Sequence, residues 1–162
     1  AFRAIPILRE PFLLVAAKGA FKDCANVRAR MEELPFVQYS EAIPIGQTVS
    51  GHLTRVRLNV ARRFAFEATR SVLAMVAHAG GWTMTTPLNL LDAERFLPLV
   101  DVMQLPFARV GRRVNLIARS GELGHLPDDL ARDCRRMVRD HIVPRFAALA
   151  PAFADAIEVL EE

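Results

Sequence analysis

Cysteine, tryptophan and tyrosine are scarce in this 162-residue chain, which carries two, one and one of them respectively. Cys24 and Cys134 lie far apart and belong to no CxxC or Cys/His spacing, which excludes a disulfide framework and a zinc site and leaves two reduced thiols. No apolar stretch free of charge and proline reaches the roughly 18–20 residues that cross a bilayer, so a spanning membrane protein is excluded. The common catalytic signatures are missing too: there is no Gly-x-Ser-x-Gly elbow, no P-loop and no Gly-x-Gly-x-x-Gly. His52, His78, His125 and His141 share no short metal-ligand spacing. Asp128-Asp129 fall where a helix start wants negative charge, so capping explains them without a carboxylate dyad. An enzyme is therefore not expected, and neither is a metal or other cofactor. Aromatic-basic interleaving on adjacent strands is absent, which removes the usual footing for RNA binding.

What is present is an ordinary globular composition, with 52% apolar and 24% charged residues, so one domain or two small lobes with a packed core are expected. Lys and Arg number 21 against 18 Asp and Glu, a net charge of +3. The last sixteen residues hold Asp155, Glu158, Glu161 and Glu162 and no base, so the body of the chain is more basic than the total suggests. Arginine is scattered rather than gathered into a stripe, and a solvated surface accounts for it.

Strand-like runs alternate with helical ones. Pro11–Ala17 is a continuous apolar run that stops at Lys18-Gly19; Ala25–Leu34 suits a helix, and Pro35–Ser40 a second strand. After a Pro44-Ile45-Gly46 loop, Val49, Leu53, Val56 and Val60 recur at helical spacing. Phe64–Glu67 reads as strand, Thr69 as the N-cap of a helix closed by Gly80-Gly81, and Trp82–Thr86 as a strand ended by Pro87. This βα alternation predicts a largely parallel sheet covered on both faces. Beyond residue 97 come two strand candidates, Leu97–Met103 and Arg112–Ala118, with no helix between them. A long helix from Pro127 follows, with Leu130, Cys134, Met137 and Val138 as its expected buried face. It is ended or kinked at Pro144, and Ala147–Leu160 forms a short acidic helix.

The segment Arg63–Pro87, a strand ending in Phe66-Glu67, a helix Val72-Leu73-Ala74-Met75-Val76 closed by Gly80-Gly81, then a strand and a Pro, resembles the effector-binding domain of LysR-type transcriptional regulators. Pro6–Ala16 looks like the same family's middle strands, and the likeness runs over about residues 5–146. The resemblance implies an α/β, type 2 periplasmic-binding-protein-like fold, with one lobe and the C-terminal part of the other present. Residues 1–99 would form the second lobe, 100–109 the crossover, 110–146 the end of the first lobe and 147–162 a tail. The family's winged helix-turn-helix, linker helix and opening strands have no counterpart here, so the chain looks like a fragment, and contact with DNA would come only through that N-terminal domain. The implied protein is cytoplasmic, does no chemistry, has no membrane partner and senses a metabolite in an interlobe cleft, working as a homodimer or tetramer. An extracytoplasmic solute-binding protein of the same fold is the alternative.

Ligands of parallel α/β lobes sit outside the carboxyl ends of the strands, where helix N-termini point free N–H groups. Tyr39 and Ser40, Thr69 with Arg70 and Ser71, and Thr85 with Thr86 meet that description. Hydroxyls, backbone donors and one Arg suit a polar or anionic small molecule, while helix capping and strand-end packing are the plainer roles for the same residues. For self-association, the helix from Gln47 to Val60, with Leu53 and Val56 as anchors, is expected against the strand and helix from Arg113 onward in a second copy.

Overall fold

The chain starts in β1 (Phe2–Pro11) and β2 (Leu13–Ala17), and a computed structural model describes residues 1–161. It continues through α1 (Val27–Glu33), β3 (Pro35–Tyr39), α2 (Pro44–Arg55), β4 (Ala61–Phe66), α3 (Thr69–Ala79), β5 (Trp82–Thr85), α4 (Pro87–Asp92) and β6 (Val100–Met103). β7 (Gly111–Arg119), α5 (Leu126–Met137), a π-helical turn (Val138–Ile142), α6 (Val143–Leu149) and the short β8 (Glu158–Val159) complete it. Two units result: Phe12–Val110, and Ala1–Pro11 together with the residues from Gly111 on.

This division differs from the expected 1–99, 100–109, 110–146 and 147–162. β1 stands with the returning strand because Phe2–Pro11 pairs antiparallel with Gly111–Arg119. The expected crossover holds β6, which pairs with β2 inside the larger unit's sheet. The expected tail closes onto β1, Leu8 facing Val159 and Arg9 facing Glu158.

In the larger unit the sheet order is β4-β3-β5-β2-β6. β3 runs parallel to β4 and β5, and β2 antiparallel to β5 and β6, so four of the five strands share one direction. β2 is buried along its whole length, which is why its sequence is apolar without alternation. Phe12, Leu14, Phe36, Trp82 and Met84 face α1 and α2, where Met31, Val49 and Leu53 complete the core. Trp82 stacks on Phe36 with ring centroids 4.5 Å apart and donates its indole N–H to the Met31 carbonyl at 2.8 Å, so the polar end of the largest buried side chain is satisfied. α3 closes on Gly80, whose φ of +68° is the left-handed conformation that ends helices at glycine. At Gly46 a Cβ would lie 2.0 Å from the Ser40 carbonyl oxygen, so the β3–α2 connection demands glycine there. His52 is buried on α2 and donates Nε2–H to the Ala108 carbonyl at 2.7 Å, while Nδ1 accepts from Arg55.

Several local expectations shift. α2 begins at Pro44 itself and ends at Arg55, because Arg57 adopts a left-handed φ of +56°; Val60 lies outside it. Leu53 is fully buried in the core and is no anchor for a second copy. Glu94–Leu99 is a 3-10 helix, so the strand starts at Val100 rather than Leu97. On α5 the buried face is Pro127, Ala131 and Arg135, continued by Val138, while Leu130 and Met137 are exposed. Arg135 turns that face inward by donating Nε–H and Nη2–H to the Pro6 carbonyl of β1 at 3.1 and 2.7 Å. Pro144 sits in the first turn of α6, and Ala147–Leu160 holds the end of α6, a 3-10 turn and β8 instead of one acidic helix.

The smaller unit has the sheet order β7-β1-β8, with α5 against β1 and β7. Arg3 forks onto Asp128 at the start of α5, and this hydrogen bond holds the Asp128 carboxyl below its ordinary range. Glu10 is fully buried and receives Arg112 Nε–H at 2.7 Å, from the residue directly opposite it in the ladder. Glu10→Gln should cost about 2–3 kcal/mol in urea denaturation, somewhat less than a fully enclosed pair because Arg112 reaches water. On β5, the Thr83 hydroxyl is wholly buried and has no hydrogen-bond partner. Thr83→Val should therefore raise stability by about 1 kcal/mol, and a drop in midpoint denaturant would show that the hydroxyl is satisfied after all.

Candidate functional site

Three backbone ends converge at one edge of the larger sheet: the carboxyl ends of β3 and β5 and the first turn of α3. β3 ends in Tyr39, buried because its neighbours β4 and β5 flank it on both sides. Its phenol O–H donates to Thr69 Oγ1 at 3.0 Å and lies 2.7 Å from Thr85 Oγ1. Asn89 of α4 donates Nδ2–H to the same Thr85 oxygen at 3.3 Å. Thr69, Thr85 and Thr86 are all buried, so Tyr39, Thr69, Thr85 and Asn89 form one hydroxyl and amide cluster inside the end of the sheet.

The expected residues thus separate into two groups. Tyr39, Thr69 and Thr85 are brought together, with Thr86 beside them as the N-cap of α4. Ser40 follows directly, its hydroxyl accepting from Ala42 N–H at 3.2 Å. Ser71 is exposed. Arg70 reaches away along the surface, its guanidinium on the Asp92 carbonyl and carboxylate at 3.1 and 3.3 Å. Thr69 is not the N-cap of α3: Ala68 holds that position without a side-chain cap, which frees the Thr69 hydroxyl for Tyr39. Asn89 is the member that sequence reading missed. Its i, i+4 spacing from Thr85 was the available signal, hidden by the Pro87 that separates strand from helix.

Electrostatically the first turn of α3 supplies partial positive charge with no acidic side chain in it to neutralise that charge. Thr69 accepts from Tyr39, so its own hydroxyl proton is available to a further acceptor. Beyond Ser40, Glu41 receives hydrogen bonds from Ser50 and Arg62. The Ser50 hydrogen bond, aided by the Arg62 charge and opposed by partial desolvation, holds the Glu41 carboxyl below its usual range. Among the described residues no group of three or more His, Cys, Asp or Glu side chains gathers to hold a metal, and no helix is long and apolar enough to cross a membrane.

Residues 1–143 match the family model described as the LysR substrate binding domain. No curated protein matches the chain. Among solved structures, the regulatory domain of CcmR from Synechocystis in complex with 2-PG is 13% identical, with a TM-score of 0.69 over 86% of this chain and 68% of that one. The effector-binding domain of QuiR in complex with shikimate is 11% identical, with a TM-score of 0.64 over 86% of this chain and 66% of that one. A mutant of Corynebacterium glutamicum OxyR is 18% identical, with a TM-score of 0.68 over 93% of this chain and 46% of that one. The chain thus spans about two thirds of the regulatory domains that it matches and under half of the longer regulator.

The hydroxyl cluster has a structural consequence of its own. Tyr39→Phe leaves Thr69 without its donor and should lower stability by about 1–2 kcal/mol, read as a fall in thermal midpoint. An unchanged midpoint would show that Thr69 and Thr85 find other partners at no cost.

Proposed function

The chain belongs to the LysR substrate-binding domain family, a regulatory and non-enzymatic one, and on that premise we propose that it binds a small polar or anionic effector at the Tyr39–Thr69–Thr85 end of its larger sheet. The supporting observation is the cluster itself: three buried hydroxyls held at hydrogen-bond distance beside an uncapped helix start. Such a site offers the Thr69 hydroxyl proton and the first N–H groups of α3 to an acceptor group, with Ser40 at its border. Buried Thr86 supports the strand end, whereas Arg70 and Ser71 act as outer contacts, Arg70 by leaving the Asp92 carboxylate for an anionic ligand. The ligands named with CcmR and QuiR, 2-PG and shikimate, support the reading that a small polar molecule is what this fold takes.

The domain works in the cytoplasm as a homo-oligomer. Effector binding favours one arrangement of the regulator over another and thereby changes how an attached winged helix-turn-helix domain grips its operator. The sensing step needs no chemistry from the protein. It needs only a difference in effector affinity between two states, and a hydrogen-bonded cluster that must rearrange to admit a ligand is a physical source of such a difference.

Calorimetric titration with a panel of small carboxylates and phosphorylated acids, shikimate included, tests the site. Thr69→Val keeps the volume and removes the hydroxyl, and should weaken binding of any hit by about 1–3 kcal/mol at matched folding. Unchanged affinity in that variant would remove the site from the start of α3.

A further inference from the structure

The hydrogens of the Tyr39 cluster can be assigned by counting them. Tyr39 has one hydroxyl proton and gives it to Thr69 Oγ1 at 3.0 Å. It has none left for Thr85, so the 2.7 Å contact between those two oxygens is made by the Thr85 proton, with the Tyr39 oxygen accepting. Thr85 in turn accepts from Asn89 Nδ2–H at 3.3 Å. Turning the Asn89 amide over would set its oxygen against Thr85 and draw the Thr85 proton away, leaving two oxygens 2.7 Å apart with no hydrogen between them. The bonds therefore run one way, from Asn89 through Thr85 and Tyr39 to Thr69. Tyr39 is 2% exposed and Thr85 0%, so no solvent reaches the middle of this relay to reverse it.

We propose that Asn89 is a positioning residue that fixes the direction of this relay, and that the direction makes the site select effectors that present a hydrogen-bond acceptor to Thr69. A carboxylate, phosphoryl or carbonyl oxygen meets that requirement, and an ammonium or amide N–H does not. The relay ends on Thr69, whose own proton no described residue takes. Thr69 is 7% exposed, so an acceptor satisfies a proton that is otherwise buried. A donor group can reach only the second lone pair of the same oxygen and leaves that proton unsatisfied. An acceptor-only side chain at position 89 reverses every link: Thr85 gives its proton to position 89, Tyr39 gives to Thr85, and Thr69 gives to Tyr39. Thr69 then has only lone pairs to offer, and the preference inverts. Aspartate is the acceptor-only side chain with the shape of asparagine, so Asn89→Asp changes the direction of the relay, and the charge, while keeping the volume.

The inference rests on the effector site proposed above and names the chemistry that the site selects. Neutron diffraction from crystals of the deuterated protein, with no ligand added, should place the Thr85 hydroxyl deuterium on the side of Tyr39. A deuterium between Thr85 and Asn89 overturns the relay and leaves the effector site standing. The second test is a double-mutant cycle read by calorimetric titration, with shikimate and inorganic phosphate among the acceptor probes. Asn89→Asp should weaken binding of each probe that the unaltered chain binds at least about tenfold, with Trp82 fluorescence unchanged. In a Tyr39→Phe background, where the relay is cut, the same substitution should change affinity less than about threefold, because only its charge remains. An equal loss in both backgrounds means that the introduced carboxylate acts by charge alone, and overturns the relay. A loss with Thr69→Val and none with Asn89→Asp also overturns the relay and leaves the site standing. A chain that binds none of the acceptor probes, or binds them regardless of Thr69→Val, overturns both.

Discussion

The smaller unit depends on the antiparallel ladder between β1 and β7. Its two chain segments, Ala1–Pro11 and the residues from Gly111 on, are separated by the whole larger unit, so no local contact brings them together. Closing a loop of that length costs entropy that only a long-range pairing can offset. The ladder supplies that pairing from Phe2 opposite Arg119 to Pro11 opposite Gly111, with one irregularity between Pro6 and Leu8. Glu10 and Arg112 sit near its inner end, directly opposed, and a shift of register would leave a fully buried carboxylate without its partner. α5 docks on the result through Arg135 and Arg3, and β8 adds to the other side of β1. Remove the ladder and these elements lose their common support.

The larger unit obeys a different constraint. Its central strands are buried on both faces, so polar side chains are tolerated only where a partner is at hand. Tyr39, Thr69 and Thr85 satisfy one another at the carboxyl end of the sheet. Thr83, two residues earlier on the same strand and pointing to the same face as Thr85, has no partner. One strand therefore shows both outcomes, and the difference lies in position along the sheet rather than in residue type. Polar groups that satisfy one another at the end of a sheet can be redirected to a ligand. A polar group isolated in the middle cannot.

The βα order from β2 to β5 and the family were readable from the sequence because each rests on local patterns. Apolar runs bounded by Lys18-Gly19 or Pro87 mark strands, and the Gly80 closure marks the end of α3. That Tyr39, Thr69 and Thr85 fall at one end of the sheet was readable as well, since strand ends and helix starts in a βα unit lie on the same side, but the hydrogen bonds that join them were not. Other features escaped because they depend on long-range partners. Arg135 is buried on α5 where Leu130 is not, since the Pro6 carbonyl on β1 accepts two hydrogen bonds from it. Arg70 points away from the cluster because Asp92, 22 residues on, draws it there. Helical spacing cannot reveal either partner.

By itself the sequence determined the alternation of strands and helices, the absence of catalytic and metal-binding signatures, and the kinship with LysR regulatory domains, all of which are written in short-range residue patterns. The tertiary structure alone decided which unit β1 belongs to, which face of α5 turns inward, and that the Tyr39 phenol links two threonines 30 and 46 residues away. The reason is physical: a strand's partner and a buried polar group's hydrogen bonds are chosen by what the whole chain brings within about 3 Å, and no local pattern carries that information.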